Sequence, residues 1–309
     1  MLSASSPTRR LAAVILLAGG TGELGQRIAE RLSARGEDLR ALVRSESDAS
    51  ALEALGAEIV RGDFRDLESL RRATKGARSV ITTVTSISRA LSGERTATIT
   101  DLDERGNANL VDAAAEAGVQ RFVFVSFVIT PRLARAPLGA AKRATEERLA
   151  RSQMRGVIVR PEMFQEIWLS SAVGLDWDAG KAQIFGKGET PNAYVAIDDV
   201  AEATVRVAVA ADPPRELVLA GPEALTRTDV VDRFEQASGR KIKRRHVPRL
   251  ILRAGSLVLR RVKPVQASLL ALALEADLQP TRLSAEPLRA LGIEPRPASA
   301  YLEVVAASR

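Results

Sequence analysis

The apolar run Ala12-Ala13-Val14-Ile15-Leu16-Leu17-Ala18 breaks into four glycines within seven residues, and a helical pattern follows at once. Leu24, Ile28 and Leu32 recur at i, i+4 and i+8, which lines one buried face of a helix. Strand, tight turn and helix in that order restrict the chain to few architectures. Gly20, Gly22 and Gly25 fit G-x-G-x-x-G, while Gly19, Gly22 and Gly25 fit G-x-x-G-x-x-G. Glycine permits positive φ and lets the backbone approach a pyrophosphate closely. The unpaired N–H groups at the helix start then face the anion. The turn from Gly19 to Gly25, with Thr21, Glu23 and Leu24 between the glycines, is the expected dinucleotide seat. A glycine-rich turn without a ligand is the alternative.

Strand and helix signals keep alternating beyond this unit. Strands are expected at Leu39 to Val43, Ala57 to Arg61, Ser79 to Val84, Arg121 to Phe127 and Gly156 to Arg160, the last closed by Pro161. Helices are expected around Leu67 to Ala73, from about Asp101 to Ala117 with Gly118 as its stop, and from Gly139 to Ser152. Such alternation implies right-handed crossovers and a parallel sheet covered on both faces. The fold class is α/β, a doubly wound Rossmann-type sheet spanning residues 11–220 behind a disordered tail, 1–10. A helix opened by Asp198-Asp199 and a late strand at Glu216 to Ala220 complete it. Residues 221–309 then read as a smaller, mostly helical lobe with helices near Arg227 to Ala237, Pro248 to Arg261, Val265 to Leu278 and Ser299 to Val305.

Composition excludes several chemistries. The 309 residues include no cysteine and one histidine, His246. Disulfides, thiolate metal sites and cysteine nucleophiles are therefore out, and no metal site or Ser-His-Asp triad is expected. No apolar run approaches the ~20 residues of a membrane span. Arg9-Arg10 before an apolar run resembles a twin-arginine signal, but the run leads directly into the glycine turn, so a cytoplasmic location is expected, with peripheral membrane attachment as a variant.

The second strand ends Leu42-Val43-Arg44, about twenty residues past the glycines, where an acidic residue would suit NAD and an arginine the 2′-phosphate of NADP. Arg44, with Ser45 as a second contact, argues for NADP(H), with NAD(H) still possible; a solvated surface arginine is the alternative. Further along come Gly62-Asp63-Phe64, then Ala115-Glu116-Ala117-Gly118-Val119-Gln120-Arg121-Phe122-Val123-Phe124-Val125-Ser126, then Arg160-Pro161-Glu162-Met163-Phe164. Taken in order over about residues 11–245, these resemble the NmrA-like, atypical short-chain dehydrogenase/reductase group, which includes isoflavone-reductase-like enzymes, quinone oxidoreductases and redox-sensing regulators.

The resemblance implies that Asp63 and Phe64 border the adenine, that Thr82, Thr83 and Val84 line the ribose and pyrophosphate, and that Pro161 and Phe164 join the cofactor contacts. A helix cap is the other role open to Asp63, and plain strand propensity the other reading of the threonines. In the Tyr-x-x-x-Lys pair of short-chain dehydrogenases, the lysine position is Lys142, with Glu146 four residues on, and Ser126 stands at the serine position. The tyrosine position, however, is Leu138. Leucine transfers no proton, and a positioned acid or base contributes about 10²–10⁴ in rate. Lys142 and Ser126 are the candidate catalytic residues, with Lys142 also contacting ribose; a surface Lys142–Glu146 pair is the alternative.

From Arg240 to Lys263 there are ten Lys or Arg and no Asp or Glu, against a net charge of +7 for the whole chain. Arg249, Arg253, Ser256 and Arg260 fall within about 60° of a helical wheel, and leucines, Ile251 and Val258 fill the rest. Such a segment packs the lobe with its arginines in water, or meets a membrane surface or a protein. Nucleic acid is not expected, because no aromatic interleaves the arginines. The expected function is NADPH-dependent hydride transfer to a small apolar acceptor, such as a quinone or conjugated carbonyl, with Phe164, Trp168 and Phe185 on the pocket wall. The alternative is a non-catalytic NADP(H)-binding sensor or assembly protein that docks through residues 240–263.

Overall fold

The computed structural model describes residues 14–94 and 96–309, so the expected tail lies outside the described residues. The first half runs β1 (Val14–Ala18), α1 (Glu23–Ala34), β2 (Leu39–Val43), α2 (Ser50–Ala54), β3 (Glu58–Arg61), α3 (Leu67–Thr74), β4 (Ala77–Thr82), α4 (Ser86–Leu91), α5 (Asn107–Glu116), β5 (Arg121–Val125), α6 (Pro137–Arg151) and β6 (Arg155–Pro161). It continues through α7 (Gln165–Trp168), β7 (Leu175–Asp176), β8 (Lys181–Phe185), β9 (Asn192–Ala193), α8 (Ile197–Val209), β10 (Glu216–Leu219) and β11 (Ala224–Leu225). The last elements are α9 (Arg227–Ser238), β12 (Lys243–Val247), α10 (Arg249–Val258), α11 (Pro264–Leu278), α12 (Glu286–Ala290) and α13 (Ala298–Ala307).

Seven strands form one sheet in the order β10-β6-β5-β4-β1-β2-β3, and every neighbouring pair is parallel. Parallel strands are buried on both faces, which is why β1 is an unbroken apolar run. Ile15 and Leu17 point into a core shared with Ile28 and Leu32 of α1 and Val200 and Val205 of α8. Leu16 and Ala18 point the other way, onto Leu70 of α3, Leu110 of α5 and Leu149 of α6. Strand order reverses between β1 and β4, so the crevice at their C-terminal ends is the place where such sheets bind ligands.

The sequence reading departs from the structure in three places. The helix expected from Asp101 instead begins with a π-helical stretch, Ile99–Gly106, capped by the Thr98 side chain, before α5 starts at Asn107. Pro248 to Arg261 is not one helix, because α10 ends at Val258 and a 3₁₀ turn covers Leu259–Arg261. The C-terminal portion is mostly helical as expected, but it also contains β12, which pairs in parallel with β8, while β7 pairs antiparallel on the other side of β8. β12 reads Lys-Arg-Arg-His-Val, so its charge hides the alternation that marks a strand. This small sheet joins residues from both sides of position 220.

Candidate functional site

The glycine turn closes on itself through the Gly22 N–H, which donates to the Gly19 carbonyl at 3.0 Å. Gly19 has φ of +93°, and a Cβ there would meet the Thr83 side chain. A Cβ at Gly25 would collide with the Gly19 carbonyl, so α1 can lie this close to β1 only without one. Asp66, Thr85 and Thr226 cap α3, α4 and α9 with their side chains, whereas Gly22 leaves the start of α1 without a side-chain cap. Thr21, Gly22 and Glu23 are exposed there, Gly20 and Gly25 are buried, and Leu24 packs on the core. A bare helix start with its dipole behind it fits a pyrophosphate.

Across the crevice, β4 ends in the expected residues. Thr82 is buried and its hydroxyl bonds Asn107 Oδ1 at 3.2 Å. The Thr83 N–H donates to the Ala18 carbonyl at 3.0 Å, which seats Thr83 beside Gly19. Val84 is buried, and its carbonyl accepts from Lys142 Nζ at 3.4 Å.

At the end of β2, Arg44 meets Glu94 at 3.1 Å and Glu46 at 3.2 Å. Arg89 of α4 approaches the same Glu94 oxygen at 3.7 Å. Burial, and then the neighbouring Arg44, lower the Arg89 pKa. The sequence reading missed Arg89, because α4 is short and shows no periodicity. Ser45 is exposed beside Arg44.

The Asp63 carboxylate is bound by Arg65, which holds its pKa below the ordinary carboxylate value. The helix cap, the other role open to Asp63, is supplied by Asp66. Phe64 is a core side chain packed so tightly on Gly106 that a Cβ there would lie 2.8 Å from its ring.

Lys142 is not a surface lysine and is not paired with Glu146, whose carboxylate is taken by Ser126 and Arg160. It is fully enclosed, with Nζ 3.2 Å from the Val125 carbonyl, 3.7 Å from Asp103 Oδ1 and 4.7 Å from the centre of the Phe124 ring. Enclosure lowers its pKa, against the opposing pull of Asp103 and Glu146. At 3.7 Å the contact with Asp103 is an ion pair rather than a hydrogen bond, and Oδ1 has no hydrogen-bond partner of its own. The other oxygen, Oδ2, accepts from the Ser86 N–H at 2.9 Å and the Ser86 hydroxyl at 2.5 Å. Asp103 lies on the π-helical stretch, and π segments often mark functional sites. An α-helical reading gave no reason to choose it among Asp101, Asp103 and Glu104.

Ser126 is also committed. Its hydroxyl donates to Glu146 at 2.6 Å, and Arg160 holds the other carboxylate oxygen at 2.6 Å while also pairing with Glu216. Leu138 is buried with Ile99, Ala141 and Val265, and its N–H donates to the Ser268 hydroxyl at 3.1 Å. The position of the usual tyrosine is therefore a hydrophobic contact that fastens α11 to α6.

Beyond β6, Pro161 is buried, and its neighbour Glu162 is pushed up to about 7 by burial. Trp168 and Phe185 meet edge to face at 6.5 Å, and Arg227 stacks on Phe185 at 4.2 Å. Together with Asn192, Tyr194 and Asp277 they line one narrow cavity. Phe164 is not part of it, because it packs on the α1 and α8 side of the sheet. Arg227 donates to the carbonyls of Gln183 at 2.7 Å and Val173 at 2.6 Å, and burial lowers its pKa to about 10.

A doubly wound parallel sheet with an uncapped glycine turn at its switch point defines a dinucleotide-binding protein. The model of the NAD(P)H-binding family matches residues 19–211, and the chain belongs to that family. The photosystem II assembly factor Ycf39 of Synechocystis is 30% identical over 241 residues, 77% of this chain and 72% of the relative. Structural neighbours lie in the NmrA-like, atypical short-chain dehydrogenase and quinone reductase group. The NADPH-dependent quinone oxidoreductase QOR2 of Escherichia coli, complexed with NADPH, superposes with a TM-score of 0.72 at 20% identity, covering 94% of this chain and 99% of its own. The triphenylmethane reductase of Citrobacter, complexed with NADP(H), gives 0.73 at 18%, covering 95% and 99%. At such identities the likeness is one of fold. Among the described residues no cluster of potential metal ligands occurs, and no helix is long and apolar enough to cross a membrane.

Proposed function

We propose that this protein is an NADPH-dependent oxidoreductase that reduces a small apolar acceptor of the quinone or conjugated carbonyl kind. The observation that carries it is the bare start of α1, facing the crevice between β1 and β4, with Arg44 and Arg89 converging beyond the end of β2. The α1 amides and the glycine backbone bind the pyrophosphate, and Arg44 takes the 2′-phosphate, with Ser45 beside it. Asp63 borders the adenosine, while the core position of Phe64 supports that edge from behind. Thr83 and Val84 line the ribose, and Pro161 closes the far end. When bound, the nicotinamide supplies the hydride.

Lys142 holds the ribose end of the site through the carbonyls it ties together, those of Val84 and Val125. With Ser126 held by Glu146 and leucine at position 138, no tyrosine acid stands at the reaction centre. Acceptors that need little proton transfer in step with hydride suit such a site. Quinones are of that kind, and the E. coli neighbour is named for reducing them.

A second reading is a non-catalytic NADP(H)-binding assembly or regulatory protein docking through residues 240–263. It is favoured by Leu138 and by the likeness to Ycf39. Fluorescence titration with NADPH and NADH, followed by NADPH oxidation against a panel of quinones, separates the two. Turnover that falls in Lys142→Met supports the enzyme, and tight NADPH binding without turnover on any acceptor supports the second reading.

A further inference from the structure

Among the described residues, seven large apolar side chains stand exposed, and five of them lie within thirteen residues: Leu250, Ile251, Leu257, Val258 and Val262. α10 buries only Leu252, against Ala273 and Leu274 of α11, and Gly255 faces Leu270 of the same helix. On a helical wheel, Leu250, Ile251, Leu257 and Val258 occupy a sector about 120° wide on the side away from α11, and Arg253 follows along one border. The apolar face that would ordinarily pack the lobe is therefore turned outward. The exposed side chains form a ridge along α10 and the turn that follows it.

The segment that carries this ridge is rich in cations. Arg249 is held by Asp277 and Arg244 by Asp232 and Glu235, but Lys243, Arg245, Arg253, Arg260, Arg261 and Lys263 have no ion-pair partner among the described residues. No acidic residue occurs between Arg240 and Lys263 to balance them. We propose that this ridge, with Leu250, Ile251, Leu257, Val258 and Val262 at its crest and arginines at its border, docks on an anionic lipid bilayer. Apolar side chains enter the acyl boundary while flexible cations reach the head-group phosphates, as amphipathic helices do at membrane interfaces. Charge argues against a second copy, since a two-fold contact would bring the unpaired arginines of both copies together. The helix lies on the surface and does not cross it, in keeping with its ten-residue length.

This deepens the docking reading by naming the surface. It is also compatible with catalysis, because α11 carries α10 on one side and touches Leu138 of α6 through Val265 on the other. The test is sedimentation of the full chain with vesicles of phosphatidylcholine alone and of phosphatidylcholine with phosphatidylglycerol. Vesicle binding is read without turnover, so its failure is distinct from failure of the oxidoreductase reading. The wild type is expected to sediment with the anionic vesicles only, and less at high salt. Arg253→Gln, Arg260→Gln and Arg261→Gln together should weaken that binding by about a hundredfold. Leu250→Ser, Leu257→Ser and Val258→Ser together should abolish it without changing NADPH affinity. Equal binding to neutral vesicles, no binding to anionic ones, or a dimer in ultracentrifugation that the serine variant dissolves would each overturn the proposal.

Discussion

Glu162→Gln should make the protein more stable at pH 8 and change it far less at pH 5. Burial holds the Glu162 carboxyl at about 7, against an ordinary value of 4.5, and no charged partner offsets the burial. A group raised in the folded state binds its proton more tightly there than in the unfolded chain. Its favourable contribution is complete below 4.5 and is lost as pH climbs through 7. At ~1.36 kcal/mol per pH unit, the span from 4.5 to about 7 amounts to about 3 kcal/mol by pH 8. Glutamine keeps the shape and cannot ionise, so it escapes that penalty. Urea unfolding of both proteins at pH 5, 6, 7 and 8 measures the difference directly. The advantage of the variant should open between pH 5 and 7 and then level off. A difference that stays flat over that range would show Glu162 ionising as an ordinary surface carboxylate, and the burial argument would fail.

Four other outcomes are expected. Gly25→Ala forces α1 away from the Gly19 carbonyl and should cost about 1–3 kcal/mol in thermal unfolding, with NADPH binding lost; an unchanged NADPH affinity would remove the glycine turn as the seat. Glu94→Gln frees Arg44 and Arg89 from a competing carboxylate, and Arg89→Ala removes one of the two cations. The first should raise NADPH affinity a few-fold, since such half-exposed pairs are worth up to about 1 kcal/mol, and the second should lower it, with NADH unaffected in both titrations. Asp103→Asn leaves the enclosed Lys142 without its counter-charge and should destabilise the fold by about 3 kcal/mol; a loss under about 1 kcal/mol in denaturant unfolding would mean that Lys142 is already neutral in the native protein.

The core of the fold was legible because its signals are local. A buried parallel strand must be continuously apolar, and its turn must lack side chains, so Val14 to Gly25 announces strand, turn and helix without reference to the rest of the chain. All six sheet strands expected after β1 lie within two residues of the observed ones at each end, because apolar runs flanked by Gly, Asp or Pro leave little choice. β12 escaped because its partner β8 lies nearly sixty residues earlier, and pairing at that distance leaves no trace in a basic five-residue run.

Local pattern determined which residues stand at the C-terminal ends of the strands, and so where a nucleotide belongs. Tertiary packing decided what those residues are free to do. Lys142 is met by Asp103, whose other carboxylate oxygen is held by Ser86, and the Ser126 hydroxyl is taken by Glu146, which Arg160 holds in turn. Leu138, a missing acid when read along the chain, is in three dimensions the point where α11 seals onto α6. The outward turn of α10 likewise depends on which of its sides α11 covers. Periodicity identifies an apolar face, but only the neighbouring helix settles whether that face is buried, because burial is a property of two surfaces and a sequence window contains one.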